Sequence, residues 1–185
     1  MNDSVKFSQN FLHSPRFVAT LLARTSIATD DIVYDIGGGK GIITAALADA
    51  SRTVISIEID PQVAAKLRRN MAERANVAVF EADFRDFPLP VTPYKVFANI
   101  PFNLSHAIVR KLVFAERPPD AAYLIVQKEF AESLLPQPRR RHSRLAMHLA
   151  GNFAVRILKR LEPTDFYPRP SAQAVLVEIV PRALL

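Results

Sequence analysis

Two kinds of apolar segment alternate along the first two thirds of the chain. Short runs rich in β-branched residues predict strands, and longer stretches with apolar positions at helical spacing follow them. The predicted strands are Ile32–Ile36, Thr53–Ile59, Val77–Phe80, Lys95–Asn99 and Ala121–Gln127. The predicted helices are Pro15–Ala23, Ile42–Ala50, Pro61–Arg74, Ser105–Phe114, a short helix that ends at Leu135, and Arg144–Ala150. This alternation predicts an α/β fold, a parallel sheet with helices on both faces.

The C-terminal part of the chain has a different pattern. Phe153–Leu161 and Ala174–Val180 both predict strands, and the chain between them is irregular and broken by prolines. Because no crossover helix fits between these strands, they should pair antiparallel. The whole pattern therefore predicts a mainly parallel, seven-stranded sheet that ends in an antiparallel strand pair.

Composition narrows the classes of protein. The chain has 185 residues, 49% of them hydrophobic, which suits one domain with a real core. The absence of Cys excludes disulfides and thiolate sites, and the four His show no metal-binding pattern, so we expect no metal. We see no signal peptide and no apolar run of the ~18 residues that a membrane span needs. We therefore expect a cytoplasmic monomer that does not contact membranes.

Charge leaves two interpretations open. Lys and Arg number 24 against 18 acidic residues, which gives a net charge of +6. Such a balance suits a polyanionic partner, but a solvated basic surface would look the same. The densest basic run is Arg139, Arg140, Arg141 and Arg144, on a proline-flanked loop, and Lys159, Arg160 and Arg169 could extend it. These residues are candidates for binding RNA phosphates, with Lys6 and Arg16 as weaker ones.

Four of the five glycines follow the first predicted strand, in the segment Asp35-Ile-Gly-Gly-Gly-Lys-Gly41. Glycine lets a ligand approach the backbone, where N–H groups at a helix N-terminus can meet it. A tight turn alone would need only one or two glycines. The dinucleotide fingerprint fails, because its third glycine would fall on Ile42 or Thr44, and no Gly-Lys-Ser/Thr closes a phosphate loop. Gly37, Gly39 and Gly41 are therefore candidate cofactor-binding residues.

Acidic residues follow the next two strands. Glu58 has the offset from the glycine loop at which a carboxylate can accept both ribose hydroxyls. Asp83 with Phe84 suits an adenine ring, since the carboxylate accepts the exocyclic amine and the aromatic ring packs on the base. Taken alone, Glu58 could be a surface residue and Asp83 a turn residue or helix cap. Their position at successive strand ends favours a ligand site.

The segment Asn99-Ile100-Pro101-Phe102 follows the fourth strand. Pro101 restricts Ile100 to an extended geometry. This would leave the Ile100 carbonyl free to accept a hydrogen bond from a ligand. Asn99 adds a side-chain oxygen and Phe102 a stacking face, so the segment could hold a planar base with an amino group. A strand that simply ends in a turn would also explain Asn-x-Pro.

In combination, these motifs resemble the ribosomal RNA adenine N6-methyltransferases. Further matching segments are Ser8–Leu12, Gln127-Lys128-Glu129 and Phe166-x-Pro168-x-Pro170, so the resemblance runs from about Phe7 to Val180. It implies a Rossmann-like class I fold that binds S-adenosylmethionine and acts on ribosomal RNA. The implied donor site comprises Gln9, Asn10, Leu12, Gly37, Gly39, Gly41, Glu58, Ile59, Asp83, Phe84 and Asn99. The implied catalytic residues are Asn99, Ile100, Pro101 and Phe102, with Phe166 on the opposite face of the target adenine.

The family has two main branches. Erm methyltransferases modify large-subunit (23S) rRNA and confer resistance to macrolide, lincosamide and streptogramin B antibiotics, whereas the other branch dimethylates small-subunit rRNA. Ile100, Phe102, Thr164–Phe166 and Ala174–Val177 resemble the Erm branch, although Ala172 and Gln173 depart from the usual Val and Asp. Most relatives continue into a small helical C-terminal domain. We expect residues 1–185 to form the catalytic domain alone, with residues 1–13 as a segment that contacts RNA and cofactor.

Two other functions are possible on this sequence. A DNA adenine methyltransferase would share the glycine loop and an Asn-Pro-type motif, but the segments around Gln9–Leu12 and Phe166–Pro170 favour rRNA. A non-catalytic RNA-binding protein on a methyltransferase fold would not need Gly37, Glu58, Asp83 and Asn99 intact.

Overall fold

The computed structural model describes residues 11–135 and 143–184. The strands are β1 (Phe11–Leu12), β2 (Ile32–Ile36), β3 (Thr53–Glu58), β4 (Val77–Glu81), β5 (Lys95–Asn99), β6 (Ala121–Gln127), β7 (Phe153–Leu161), β8 (Phe166–Tyr167) and β9 (Ala174–Pro181). The helices are α1 (Pro15–Leu22), α2 (Ile42–Ala50), α3 (Pro61–Asn70), α4 (Ser105–Val113), α5 (Lys128–Leu134) and α6 (Arg144–Asn152). A 3₁₀ turn, Phe102–Leu104, joins β5 to α4. Within the described residues, no helix is long and apolar enough to cross a membrane.

Seven strands form one sheet in the order β4-β3-β2-β5-β6-β9-β7. The first five of these pair parallel, whereas β9 runs antiparallel to both β6 and β7. The seven-stranded Rossmann-like prediction, including the antiparallel C-terminal pair, is confirmed. The chain moves outward from β2 to β4 and then returns to the other side of β2, so the order reverses between β2 and β5. Ligands bind at such a switch point, beyond the carboxyl ends of the strands.

Alternate residues of each strand face opposite layers of helices. On β2, Val33 belongs to the core layer that contains residues of α1 and α2, whereas Tyr34 belongs to the layer of α4, α5 and α6. On β5, Phe97 and Val96 divide in the same way. This period of two, with both faces buried, is why the central strands read as continuous apolar runs. Packing on both faces holds the strand ends, and the loops that follow them, in a fixed arrangement.

The elements follow the sequence pattern with two main differences, one in the end of a helix and one in the number of sheets. Helix α3 ends at Asn70 and not at Arg74, because Met71 and Arg74 form a turn closed by the Arg74 N–H to Met71 carbonyl bond of 2.9 Å. The sequence pattern did not predict a second sheet, in which β1 pairs antiparallel with β8. Each of these strands has two residues, too few for a period to be recognised.

Candidate functional site

A pocket lies at the carboxyl edge of the sheet, beside the switch point between β2 and β5. The ends of β2, β3 and β4 supply most of its walls, and the start of the β5–α4 connection and α4 supply the remainder. The lining residues are Ile36, Gly37, Ile57, Glu58, Ile59, Ala82, Asp83, Phe84, Arg85, Pro101, Leu104 and Ile108. The structure thus brings together Gly37, Glu58, Ile59, Asp83, Phe84 and Pro101 from the predicted site.

Gly37 is the glycine that opens this pocket. Its φ is +77°, and a Cβ added there would meet no atom of the described residues within 4 Å. A residue with a side chain would therefore be strained and would project into open space at the pocket wall. This opening suits a ligand that lies against the backbone, as the sequence predicted.

The other loop glycines are explained by packing. A Cβ at Gly39 would lie 2.8 Å from Phe11 Cε1, and a Cβ at Gly41 would lie 2.8 Å from Leu67 Cδ1. Neither glycine lines the pocket described above. Close packing against β1 and α3 explains why glycine is needed at these two positions, and their contact with a cofactor stays a prediction.

The N–H groups of these glycines also differ from expectation. The Gly37 N–H donates to the Ile57 carbonyl at 2.8 Å, the Gly41 N–H to the Gly38 carbonyl at 2.9 Å, and the Gly39 N–H to Glu58 Oε2 at 3.0 Å. These donors are engaged inside the protein and are not presented to a ligand. These three N–H groups therefore stabilise the shape of the loop.

Glu58 is a buried carboxylate at the end of β3, with 1% of its surface exposed. Its Oε2 accepts the Gly39 N–H, and its Oε1 accepts the Asp60 N–H at 3.1 Å. A carboxylate can accept about four hydrogen bonds, so acceptor capacity remains for two hydroxyls. The two backbone bonds fix its orientation, as a ribose-binding role requires.

Asp35 lies beneath the glycine loop and is fully buried. Its Oδ2 accepts the Thr44 hydroxyl at 2.6 Å, whereas its Oδ1 has no hydrogen-bond partner in the part of the chain that the structure describes. The pKa of Asp35 is raised to about 7, mainly by burial; the hydrogen bond from Thr44 opposes this rise, and the nearby Glu58 charge adds to it. This carboxyl therefore changes its protonation state in the neutral pH range.

Asp83 is engaged by a residue that the sequence analysis did not single out. Arg85 Nη2 lies 2.5 Å from Asp83 Oδ2, and Arg85 Nε lies 3.0 Å from the same oxygen. Hydrogen bonding from Arg85 lowers the pKa of Asp83, so this carboxylate stays charged. The available signal was a basic residue two positions after a strand-end acid. Phe84, next to it, is 5% exposed and presents only a small part of its ring to the pocket.

Lys111 of α4 fixes the loop that carries these residues. Its ammonium donates to the carbonyls of Phe84 at 2.7 Å and Arg85 at 2.9 Å, and also to the Phe87 carbonyl. The same ammonium lies 5.0 Å from the centroid of the Phe84 ring. Burial lowers the pKa of Lys111. No periodicity reveals such a role, because carbonyl contacts depend on the path of the loop.

The Asn99–Phe102 segment lies at the end of β5. Pro101 has the extended geometry φ −56°, ψ 131°, and its carbonyl accepts the Leu104 N–H at 2.9 Å. Asn99 ends the strand opposite Ile125 of β6, which places it at the same sheet edge as the pocket. Phe102 is half-buried and packs against the core layer of α1 and α2. The segment is therefore placed where a base beside the pocket would meet it.

Comparison with known proteins identifies the family. The family model "Ribosomal RNA adenine dimethylase" matches residues 1–185. An rRNA adenine N-6-methyltransferase of Limosilactobacillus reuteri is 34% identical over 175 residues, which cover 94% of this chain and 70% of that relative. A crystal structure of the 23S rRNA methyltransferase ErmE matches with a TM-score of 0.85 and 30% identity, and the match covers 95% of this chain and 72% of ErmE.

The chain belongs to the ribosomal RNA adenine dimethylase family.

Its members include proteins of both branches. A dimethyladenosine transferase structure from Plasmodium falciparum has a TM-score of 0.84 at 27% identity, covering 94% of this chain and 64% of the other. A probable ribosomal RNA small subunit methyltransferase A of Methanopyrus kandleri is 31% identical, over 96% of this chain and 64% of that relative. Membership establishes an S-adenosylmethionine-dependent rRNA adenine methyltransferase. The pocket fits this methyl donor, since it combines an open glycine, a buried carboxylate oriented for hydroxyls and a second carboxylate.

A short ladder joins the two ends of this methyltransferase chain beside the glycine loop. Leu12 pairs with Phe166, and Phe11 pairs with Tyr167. Phe166 is 2% exposed and belongs to the core layer of α1 and α2, whereas Tyr167 is 72% exposed. In this arrangement the Phe166 ring contacts core side chains, and stacking on a base would require it to move. Gln9 and Asn10 lie outside the described residues.

The structure describes the positions of four of the seven residues in the predicted basic patch. Arg139, Arg140 and Arg141 lie outside the described residues. Arg144 lies at the start of α6, in a groove with residues of α4. Lys159 and Arg160 lie near the carboxyl end of β7, the same sheet edge as the pocket. Arg169 lines a second cavity together with Leu12, Lys40 and Phe166.

Proposed function

We propose that this methyltransferase modifies the N6 amine of an adenine in large-subunit (23S) rRNA and thereby confers resistance to macrolide, lincosamide and streptogramin B antibiotics. The donor pocket at the switch point, with Asn99–Phe102 at its edge, carries the part of the proposal that concerns methyl transfer to an adenine. The similarity to the 23S rRNA methyltransferase ErmE favours the large subunit. Ile100 and Phe102 favour the same branch. We further propose that the protein acts as a monomer in the cytoplasm.

The second candidate function is dimethylation of small-subunit rRNA. The similarity to the Plasmodium falciparum dimethyladenosine transferase is nearly as great as that to ErmE, and the Methanopyrus kandleri relative is described as a small-subunit enzyme. Both functions use the same donor and the same attacking group. The two therefore differ in the RNA that is recognised and not in the chemistry of the pocket.

We assign the donor to the pocket through four groups. Gly37 gives it access to the backbone, Glu58 holds the ribose hydroxyls, and Asp83 accepts the adenine amine. Ile59 is 37% exposed at the pocket, although it is apolar, and offers a packing surface for the base. S-adenosylmethionine supplies an electrophilic methyl group on a sulfonium sulfur.

The chain's own catalytic task is to make adenine N6 a better nucleophile, because its lone pair is delocalised into the ring. Accepting the amine hydrogens at the Asn99 side-chain oxygen and the Ile100 carbonyl favours a more pyramidal nitrogen. These acceptors stabilise the transition state more than the ground state. Phe102 stacks on the extruded base, whose removal from the helix costs a few kcal/mol. Pro101 keeps the Ile100 carbonyl in an extended geometry.

RNA binding is assigned to the basic residues of the predicted patch, with residues 1–13 as a segment that contacts RNA and cofactor within a catalytic domain of residues 1–185. Each phosphate contact contributes about 0.7 to 0.9 to the slope of log affinity against log salt. Replacing Arg144, Lys159 and Arg160 together by Ala should therefore lower the slope by about two. An unchanged slope would remove these residues from the RNA interface.

The substrate is tested with the full chain. Protein-free 23S and small-subunit rRNA are incubated separately with methyl-labelled donor, and the labelled base is mapped. Label at an adenine N6 of 23S rRNA supports the proposal, and label confined to small-subunit rRNA supports the second candidate. DNA of the same sequence serves as the control for a DNA methyltransferase.

Resistance is tested by expression in a macrolide-sensitive bacterium. The wild-type gene should raise the inhibitory concentration of a macrolide, and the Asn99→Ala variant should not. A non-catalytic RNA-binding protein is tested by calorimetry, since it would show no binding of S-adenosylmethionine.

A further inference from the structure

We propose that Arg85 links the donor pocket to a basic groove that binds RNA phosphates, so that donor and RNA strengthen each other's binding. The inference rests on the proposed function, in which Asp83 receives the adenine amine of the donor. Arg85 lines both the donor pocket and the groove. It is therefore the residue through which the two sites are in contact.

Arg85 saturates the Asp83 carboxylate. Oδ1 accepts from the Arg85 backbone N–H at 2.8 Å and from Nε at 3.1 Å. Oδ2 accepts from Nε at 3.0 Å and from Nη2 at 2.5 Å. A carboxylate has about four lone-pair sites, so these contacts use its capacity. An amine that binds Asp83 must weaken one of the side-chain contacts with Arg85.

The side chain of Arg85 can move away from Asp83, whereas the backbone of the loop after β4 is held in place. Half of the Arg85 side chain, 51%, is exposed to solvent, against 20% for Asp83. The loop backbone is held by the Lys111 ammonium and by the N–H groups of Asp86 and Phe87, which both donate to the Asp83 carbonyl at 3.0 Å. Competition for Asp83 therefore moves the guanidinium and leaves the carboxylate in place.

The groove into which Arg85 can turn is positively charged. Its other polar residues are His106, Arg110 and Lys111 of α4 and Arg144 of α6. Among the described residues, neither Arg110 nor Arg144 forms an ion pair, and both are exposed. Asp86, like Asp83, attracts both Arg85 and Lys111. An excess of cationic side chains, among them Arg guanidinium groups with several donors in a fixed plane, suits the phosphates of an RNA backbone.

Binding at the two sites is then coupled through one guanidinium. A donor amine at Asp83 releases Arg85, which adds a cation to the groove. A phosphate in the groove draws Arg85 away and exposes the acceptor oxygens of Asp83. By linkage, each ligand raises the affinity for the other by the same factor, typically about 5- to 150-fold.

The test is equilibrium dialysis of labelled S-adenosylhomocysteine, which carries the same adenosine but no methyl group to transfer. The dissociation constant is measured with and without saturating protein-free 23S rRNA. For the wild-type chain, rRNA should lower it by about fivefold or more. For Arg85→Ala it should change less than about twofold. Without rRNA, Arg85→Ala should bind at least as tightly as wild type, because the competitor for Asp83 is gone.

Two controls isolate the mechanism. Arg110→Ala removes a cation from the same groove without touching Asp83, so it should weaken RNA binding and keep the coupling at saturating RNA. S-inosylhomocysteine has an oxygen in place of the exocyclic amine, so rRNA should leave its affinity for the wild-type chain unchanged.

The outcomes separate this inference from the proposed function. Absence of S-adenosylhomocysteine or rRNA binding by the wild-type chain would overturn both. Binding of both ligands without coupling, or with coupling that persists in Arg85→Ala, would overturn the role of Arg85 alone. Weaker donor binding by Arg85→Ala without rRNA would show that Arg85 only supports Asp83.

Discussion

Leu12 lies directly opposite Phe166 in a two-stranded antiparallel ladder, although the two residues come from opposite ends of the chain. Both side chains are buried, at 4% and 2% exposure. The neighbouring Phe11 lies against Gly39 of the glycine loop, where even a methyl group would collide with its ring. The ladder therefore ties the N-terminal segment and the Phe-x-Pro-x-Pro segment to the side of the donor loop.

This packing predicts different effects for adjacent aromatic residues. Phe166→Ala should lower the free energy of unfolding by about 3–5 kcal/mol, because it removes a buried aromatic side chain. Tyr167→Ala should change it by no more than about 0.5 kcal/mol, because Tyr167 is exposed. Urea unfolding followed by circular dichroism measures both. Equal stability of the two variants would mean that the Phe166 ring is available for the target base and is not part of the core.

The main sheet could be predicted from sequence because its signals are local. Buried β-branched runs such as Ile32–Ile36 and Ala121–Gln127 alternate with helical periods, and physical rules leave few arrangements of such units. Gly37, Glu58 and Asp83 followed from the same logic, since the ends of parallel strands meet at one edge. The ladder between β1 and β8 could not be predicted, because its partners are far apart in sequence and too short to show a period.

Contacts that depend on loop paths were also beyond prediction. Arg85 reaches Asp83 only because the loop after β4 turns within two residues, and Lys111 reaches that loop from a different helix. The occupied N–H groups of Gly37 and Gly39 are a further example, since their partners lie on β3. Sequence shows which residues can bond, and tertiary structure decides which of them are already engaged.

Alanine variants of two loop glycines should have different effects, one mainly on donor affinity and the other on the stability of the protein. Gly37→Ala places a methyl group in the open pocket wall, so donor affinity should fall about tenfold, or ~1.4 kcal/mol, with a backbone strain of about 1 kcal/mol. In Gly38→Ala the added Cβ would lie 2.2 Å from Ser56 Oγ, so stability should fall sharply. Calorimetry and thermal unfolding measure the two effects.

Gly151 supplies a matched control for these glycine variants. It lies in α6, and a Cβ there would meet no atom within 4 Å. Gly151→Ala should leave donor affinity unchanged and raise stability by up to about 1 kcal/mol, because alanine favours the helix. A loss of donor affinity in Gly151→Ala equal to that in Gly37→Ala would contradict a specific role for Gly37.

Asn99→Ala should separate turnover from binding. Loss of the side-chain acceptor should reduce methyl transfer by about 100-fold or more, as for other groups aimed at a transition state, while the donor dissociation constant changes little. Single-turnover assays and calorimetry provide the two measurements. Asn103→Ala, at an exposed position four residues further along, is the control and should retain activity. Parallel loss of donor binding and turnover in Asn99→Ala would assign Asn99 a structural role.

Asp35 should make the stability of the protein depend on pH near neutrality. Its pKa is about 7 in the folded protein, whereas an unperturbed Asp, as in the unfolded chain, has a pKa of 3.8. Because the folded-state pKa is the higher one, the folded state binds more protons between these two values, and stability falls as pH rises through this range. At ~1.4 kcal/mol per pH unit, ionisation of Asp35 costs on the order of 4 kcal/mol above pH 7.

Asp35→Asn tests this cost directly. An asparagine keeps an oxygen for the Thr44 hydroxyl but has no charge to bury, so the variant should be more stable than wild type at pH 8. The advantage should shrink as pH falls from about 7 towards 4, because Asp35 then becomes neutral in both states of the wild-type protein. Asp49→Asn is the control: the Asp49 side chain is 69% exposed, and this variant should keep the wild-type pH dependence. Urea unfolding at a series of pH values measures all three proteins. If Asp35→Asn kept the wild-type slope, or were the less stable protein at pH 8, the buried carboxyl would have to be charged and stabilised by contacts with Thr44 and Ser56.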